Sequence, residues 1–263
     1  MNTLATKNAS ILRNGRCILR AATVSLTSGQ LLSIVGPNGS GKSTLLRTLA
    51  GLWQAGEGEV LLNGQPIKTF SRRDVAKRIA FVPQEALMDF SFTVAEIVAM
   101  GRHPHRGRFS RESSSDREAV EDALERCDIA HLRDRLVTTL SGGERQRVVI
   151  ARGLAVDPDF ILLDEPTANL DVEHGLEILE LCSALAKDDK AVAFATHDLN
   201  AVARYASSVV LVQGGELVDV GDREQVLSRK NVEEVFRVRA ELVSTDQGHP
   251  VYVFHRRMES YPS

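Results

Sequence analysis

The nine residues Gly36-Pro37-Asn38-Gly39-Ser40-Gly41-Lys42-Ser43-Thr44 constrain this chain more than any other stretch of it. They follow a short, wholly apolar run, Leu31–Val35, which fits a strand buried on both faces. They lead into a helical stretch, Lys42–Ala50. The spacing GxxxxGK[ST] between such a strand and such a helix is a phosphate-binding loop. Its glycines permit backbone angles that turn amide N–H groups inward around phosphate oxygens, and the helix start aims its positive dipole end at the same anion. Lys42 supplies a mobile charge to the β- and γ-phosphates of a nucleotide, and the Ser43 hydroxyl can ligate Mg2+. The alternative is a glycine-rich loop without a ligand; the strand before it and the helix after it argue against that.

The rest of the chain is arranged around this loop. Strand-like runs at Ala9–Leu12 and Cys17–Leu26 flank Asn14-Gly15, a hairpin signal, and Glu59–Leu62 ends at Asn63-Gly64. Ile79–Val82, Phe160–Leu163 and Ala191–Ala195 repeat the buried-strand pattern, with a helix, Val172–Lys187, between the last two. From about Thr93 to Ala130 the pattern is helical and charged, with Arg106–Ser115 as a polar, exposed loop. Val209–Val212 and Glu216–Val220 flank Gly214-Gly215, and the tail Arg223–Ser263 reads as two short helices followed by strand-like Glu241–Ser244 and Val251–Phe254. Strands alternating with helices predict an α/β fold with a mainly parallel sheet covered on both faces. To this the pattern adds an N-terminal antiparallel β subdomain and an inserted α-helical subdomain. The expected division is a nucleotide-binding core with its β subdomain at 1–87 and 155–222, a helical part at 88–154 and a tail at 223–263.

Phe160-Ile161-Leu162-Leu163-Asp164-Glu165 is an apolar strand that ends in two carboxylates. Ligands collect at the carboxyl edge of open α/β sheets, so Asp164 can hold Mg2+ there. Glu165, one residue on, can act as base for the water that attacks the γ-phosphate. A strand-end acidic pair is common on surfaces; the loop upstream favours the chemical reading.

Leu140-Ser141-Gly142-Gly143-Glu144-Arg145-Gln146 narrows the class. It is again an anion-binding pattern: a serine hydroxyl, two glycine amides and a helix, Gly143–Ala155, starting beside them. Together with the phosphate loop, this heptad resembles the signature motif of ATP-binding-cassette (ABC) ATPases. The resemblance covers nearly the whole chain and implies a P-loop NTPase core that binds and hydrolyses ATP with Mg2+. It implies a head-to-tail homodimer, in which Ser141, Gly142 and Gly143 of one subunit face the ATP held by the loop of the other. It also implies that Gln84 is the Q-loop glutamine near Mg2+ or water, that Asp171 in Asn169-Leu170-Asp171 is the D-loop acid, and that His197 senses the γ-phosphate. One position departs: where the family places an aromatic residue against adenine, this chain has Arg13. A guanidinium can stack on a purine, or it can stay solvated, and both readings stand open.

Phe92-Thr93-Val94, Met100-Gly101-Arg102-His103-Pro104 and Asp116–Leu124 are similar to the helical lobe of importer ATPases for iron chelates, haem and cobalamin. This implies separate membrane permease subunits and, indirectly, a substrate-binding protein. Met88, Phe90 and Phe92 offer apolar area for the permease close to Gln84. His103, His105, His131, His174, His249 and His255 are read as surface or contact residues. Other ABC classes fit less well, since the chain has one cassette, no fused membrane helices and no coiled-coil insertion. No apolar run reaches the roughly 20 residues a spanning helix needs. The N-terminus lacks a signal-peptide layout. Cys17, Cys127 and Cys182 show no paired spacing. The expectation is therefore a peripheral protein at the cytoplasmic face of the inner membrane. A net charge of −3 over 263 residues argues against nucleic acid as a partner.

Overall fold

The computed structural model describes residues 1–84, 91–107, 111–246, 248 and 250–256. Strands β1 (Thr3–Arg13) and β2 (Arg16–Thr27) form the hairpin that Asn14-Gly15 predicts. Both arms are longer than the sequence pattern shows. The register slips between Thr6 and Ala9 and again between Ala9 and Ile11, and Asn8 and Ala21 take left-handed φ values of 49° and 43°. Such bulges break the alternation by which a strand is read. Strand β3 (Leu31–Val35) leaves for a second sheet, while β4 (Glu57–Leu62) and the short β5 (Gln65–Pro66) complete the first in the order β2-β1-β4-β5.

The second sheet runs β10-β9-β3-β8-β7-β6. Its members are β6 (Ile79–Val82), β7 (Phe160–Asp164), β8 (Ala191–Thr196), β9 (Ser208–Gln213) and β10 (Glu216–Asp222), with β3 near the middle. Every pairing is parallel except β9 with β10, whose hairpin turns on Gly214 and Gly215. β3, β7 and β8 are buried along their whole length, which is why they read as continuous apolar runs.

Helices α1 (Lys42–Leu49), α2 (Arg72–Arg78), α6 (Val172–Lys187) and α7 (Leu199–Tyr205) belong to the sheet region. Helices α3 (Val94–Ala99), α4 (Ser114–Arg126) and α5 (Gly142–Leu154) pack on one another through Val94, Val98, Ala123, Leu124 and Val148. The tail forms α8 (Arg223–Val226), α9 (Arg229–Phe236) and a hairpin of β11 (Val238–Ser244) with β12 (Pro250–Arg256). The predicted loop Arg106–Ser115 ends earlier than expected. Ser113 and Asp116 form a reciprocal capping box, so α4 starts at Ser114; residues 108–110 lie outside the described residues. No helix among the described residues is long and apolar enough to cross a membrane. Cys127 and Cys182 are buried and unbridged, and burial pushes both thiols up to about 12; Cys17 is exposed.

The helical part is pinned by a buried ion pair. Arg102 donates from Nε to Asp116 Oδ1 at 2.9 Å and from Nη1 to the Ala155 carbonyl at 2.8 Å. Asp116 is 5% exposed, and the Arg102 and Ser113 hydrogen bonds hold its carboxyl at about 2. Arg102→Ala leaves that carboxylate buried without its cation, so it should cost about 3–5 kcal/mol in urea unfolding near neutral pH. Because the folded value lies below the ordinary 3.8, the pair's contribution is present above that value and is lost as pH falls toward 2. The variant should therefore lose less stability than the parent over that acid range.

Candidate functional site

Four parallel strands end side by side. The register places Val35 opposite Thr196, Asp164 opposite Ala195 and Val82 opposite Leu163. The residues after those ends, the Gly36–Thr44 loop, His197, Glu165 and Gln84, therefore share one edge of the sheet. This is where an open α/β sheet leaves its crevice.

The loop can adopt its shape because of two glycines. Gly41 caps α1 at φ 111°, a left-handed angle that side chains rarely adopt. Gly36 lies so close to β9 that a Cβ there would stand 2.1 Å from the Val212 carbonyl oxygen. Lys42 is 5% exposed and folds back over the loop. Its Nζ donates to the carbonyls of Gly36 at 2.9 Å and Pro37 at 3.3 Å, and lies 3.4 Å from Glu165 Oε1. The Ser40 hydroxyl is buried inside the loop with no hydrogen-bond partner among the described residues. An orphaned hydroxyl there fits an anionic ligand whose oxygens it can serve. Thr44 is buried, its carbonyl accepting from the Thr48 hydroxyl, while Pro37, Asn38 and Gly39 form the outer part of the loop.

Asp164 is 1% exposed at the end of β7. Ser43 Oγ donates to its Oδ1 at 2.7 Å and Arg47 Nη2 to its Oδ2 at 3.3 Å. Burial pushes its carboxyl up, and the Ser43 and Arg47 contacts offset part of that. Ser43 and Asp164 together present the hard oxygen donors that Mg2+ prefers, and Mg2+ usually completes its shell with water and phosphate, so the residues fit that ion. Glu165 sits at φ 50°, a rare angle for a side-chain-bearing residue, which turns its carboxylate out of the strand direction. Its Oε2 lies 2.9 Å from His197 Nδ1 and its N–H donates to the Ala195 carbonyl. Lys42, Glu165 and His197 are thus joined by contacts, and Ser43 and Asp164, their neighbours in sequence, form a second bonded pair beside them. Gln84 is exposed two residues beyond β6.

Ser141, Gly142, Gly143 and Asp171 form a second group. Ser141 caps α5, accepting from the Glu144 N–H at 3.2 Å while its own N–H donates to Glu144 Oε2 at 2.7 Å. Ser141 and Gly142 are exposed, and the space a Cβ on Gly143 would need is filled by the His174 ring. His174 Nδ1 in turn lies 2.7 Å from Asp171 Oδ1, and Asp171 caps α6. The Asp171 contact raises the His174 pKa above its ordinary value. Read as a surface or contact residue, His174 joins the two segments that resemble signature and D-loop. His105 is half-buried and bonded to the Val156 carbonyl, His103 and His255 are exposed, and His249 lies outside the described residues.

Three features escaped the sequence reading. Arg47 lies one helical turn after Ser43, so helix periodicity alone could have placed it beside the same carboxylate. Arg13 lies over the Trp53 ring, 4.7 Å from its centroid, a partner the sequence reading did not weigh against adenine or solvent. A partly apolar groove also follows α2. One cavity of 780 Å3 is lined by Trp53, Phe70 and Phe81, and an adjoining one of 900 Å3 by Met100 and Pro104 beside Arg73, Arg106 and Arg152; both include Arg72, Ala76 and Ile79. Of the three apolar residues the sequence offered for this role, Phe92 is 38% exposed, and Met88 and Phe90 lie outside the described residues.

The chain is similar to known proteins. Residues 19–168 match the family described as ABC transporter. A cobalamin import ATP-binding protein of Halobacterium salinarum is 44% identical over 233 residues, 88% of this chain, and the chain spans 58% of that protein's length. An iron(3+)-hydroxamate import ATP-binding protein of Bacillus subtilis is 37% identical over 245 residues, covering 93% of this chain and 91% of the relative. Among solved structures, a putative metal-chelate type ABC transporter in an inward-facing conformation superposes with a TM-score of 0.85 at 29% identity, covering 97% of each chain.

Proposed function

The chain belongs to the ABC transporter family, and from that membership we propose that it is the ATP-hydrolysing subunit of an importer that takes up an iron chelate, haem or cobalamin through a separate permease. The observation that carries the reading is the gathering of Lys42, Glu165 and His197 in one contact chain, beside the bonded pair Ser43 and Asp164, at one sheet edge. The import of cobalamin and iron hydroxamate named for its relatives supports the cargo class.

The loop from Gly36 to Thr44 holds the phosphates, with Lys42 on the β- and γ-phosphates. Ser43, Asp164 and Gln84 would hold Mg2+, which would supply charge neutralisation at the phosphate oxygens. Glu165 takes the proton of the attacking water, and His197 orients the Glu165 carboxylate through the 2.9 Å contact. Ser141, Gly142 and Gly143 complete the partner subunit's site in a head-to-tail homodimer, with Asp171 beside them. The exposure of Ser141 and Gly142 supports this, since a capped helix start is a ready anion site. The permease docks in the partly apolar groove along α2, which places the subunit peripherally at the cytoplasmic face of the inner membrane.

The test is ATPase activity of the subunit assembled with its permease and binding protein, assayed with an iron hydroxamate, haem and cobalamin in turn. One of the three should stimulate turnover. Stimulation by none of them would remove the cargo class. Met100 is 43% exposed in the groove, so Met100→Asp should leave the melting temperature and basal ATPase of the isolated subunit nearly unchanged. It should weaken co-purification with the permease, because docking would have to desolvate a charge where it now covers an apolar side chain. Undiminished co-purification would move the docking site elsewhere.

A further inference from the structure

Asp164 is held by two residues of α1, and only one of them belongs to the phosphate loop. Ser43 and Arg47 stand one turn apart, so they lie on the same helix face. Each takes one carboxylate oxygen, Ser43 at 2.7 Å and Arg47 at 3.3 Å. A carboxylate 1% exposed needs an opposite charge close by, and Arg47 is the cation in contact with it.

Arg47 is itself held in place. The chain leaving α1 folds back over it, with the N–H groups of Leu52 and Trp53 donating to the Arg47 carbonyl at 3.0 and 3.2 Å. The Trp53 ring then carries two guanidinium groups, Arg47 at 5.4 Å and Arg13 at 4.7 Å from its centroid. Cation–π attraction to both fixes the ring between the tip of the β1–β2 hairpin and the carboxylate at the end of β7. A divalent cation that takes the Asp164 oxygens brings a like charge against the Arg47 guanidinium. That repulsion, together with competition for the Asp164 oxygens, loosens the Arg47 contact.

We propose that Arg47, stacked on Trp53, is the built-in counter-ion of Asp164, holding the carboxylate before the divalent cation arrives and yielding it when the cation binds. Arg47 is then a positioning residue, and Trp53 senses its release. This rests on the Mg2+-nucleotide reading of the site given above.

Trp53 is the one tryptophan in the chain, so intrinsic tryptophan fluorescence reports on this ring alone. The full-length protein is given a non-hydrolysable ATP analogue in EDTA and then Mg2+, with a labelled nucleotide followed in parallel. The wild type should show a Trp53 emission step on Mg2+ addition. Arg47→Gln should bind the labelled nucleotide, lose the emission step and need several-fold less Mg2+ for half-saturation, because the competing cation is gone. An emission step of unchanged size in Arg47→Gln, or an unchanged Mg2+ requirement, overturns the proposal. Should Arg47→Gln not fold in a thermal melt, Arg47→Lys decides. An ammonium keeps the charge but not the planar stack, so a weakened emission step with a Mg2+ requirement close to the wild type's supports the proposal, and an emission step of unaltered size, or a Mg2+ requirement that falls several-fold, overturns it. Failure of the wild type to bind labelled nucleotide at all would instead strike the reading of the phosphate loop.

Discussion

Replacing Glu165 by Gln should lower ATP turnover by roughly 10²–10⁴-fold, the usual cost of losing a general base, while ATP binding is preserved or strengthened. The turnover loss follows from the amide, which cannot accept a proton from water. The binding result follows from the structure. Glu165 Oε1 lies 3.4 Å from Lys42 Nζ, both side chains nearly buried, so the carboxylate competes with phosphate for the lysine. Gln keeps the shape of Glu165 and its reach to His197 but gives up the charge that holds Lys42. A single-turnover assay and an equilibrium titration of the same preparation separate the two effects. Near-normal turnover would remove Glu165 from the role of base. Weaker ATP binding with lost turnover would mean that the carboxylate supports the site in some way other than holding the lysine.

The core of this site was legible because its chemistry depends on local sequence. The Gly36–Thr44 loop needs glycines and a lysine at fixed spacing, and Leu31–Val35, Ile79–Val82 and Val172–Lys187 fall where the apolar patterns put them. Asp164 and Glu165 were visible because a buried strand that ends in two carboxylates is conspicuous. What stayed hidden depends on side chains that meet across the chain. Arg102 and Asp116 are fourteen positions apart and each looks like a solvated charge until both are found buried. Arg13 meets Trp53 only because the β1–β2 hairpin tip comes to lie beside the end of α1. The length of β1 and β2 was hidden for a different reason, since bulges at Asn8 and Ala21 interrupt the period of two. Helices α2 and α7, seven residues each, are too short to build a convincing period of their own.

Lys42→Ala should weaken ATP binding by about one to two orders of magnitude, since a hydrogen bond to a charged group is worth about 1.5–3 kcal/mol. That figure is a net one. In the resting chain Lys42 donates hydrogen bonds to the Gly36 and Pro37 carbonyls and pairs its charge with Glu165, so binding phosphate means exchanging those partners for a stronger one. The loss should therefore depend on the side chain opposite the lysine. In a Glu165→Gln background the lysine has no carboxylate to leave, and it contributes more to binding. A four-corner cycle of titrations, with wild type, each single variant and the double variant, tests this. The penalty for Lys42→Ala should be larger in the Glu165→Gln background than in the wild type. Equal penalties would mean that the 3.4 Å contact does not compete with nucleotide. A smaller penalty in the Glu165→Gln background would mean that Glu165 holds Lys42 toward the phosphates rather than away from them. Unchanged affinity in every Lys42→Ala sample would remove the lysine from the phosphate site altogether.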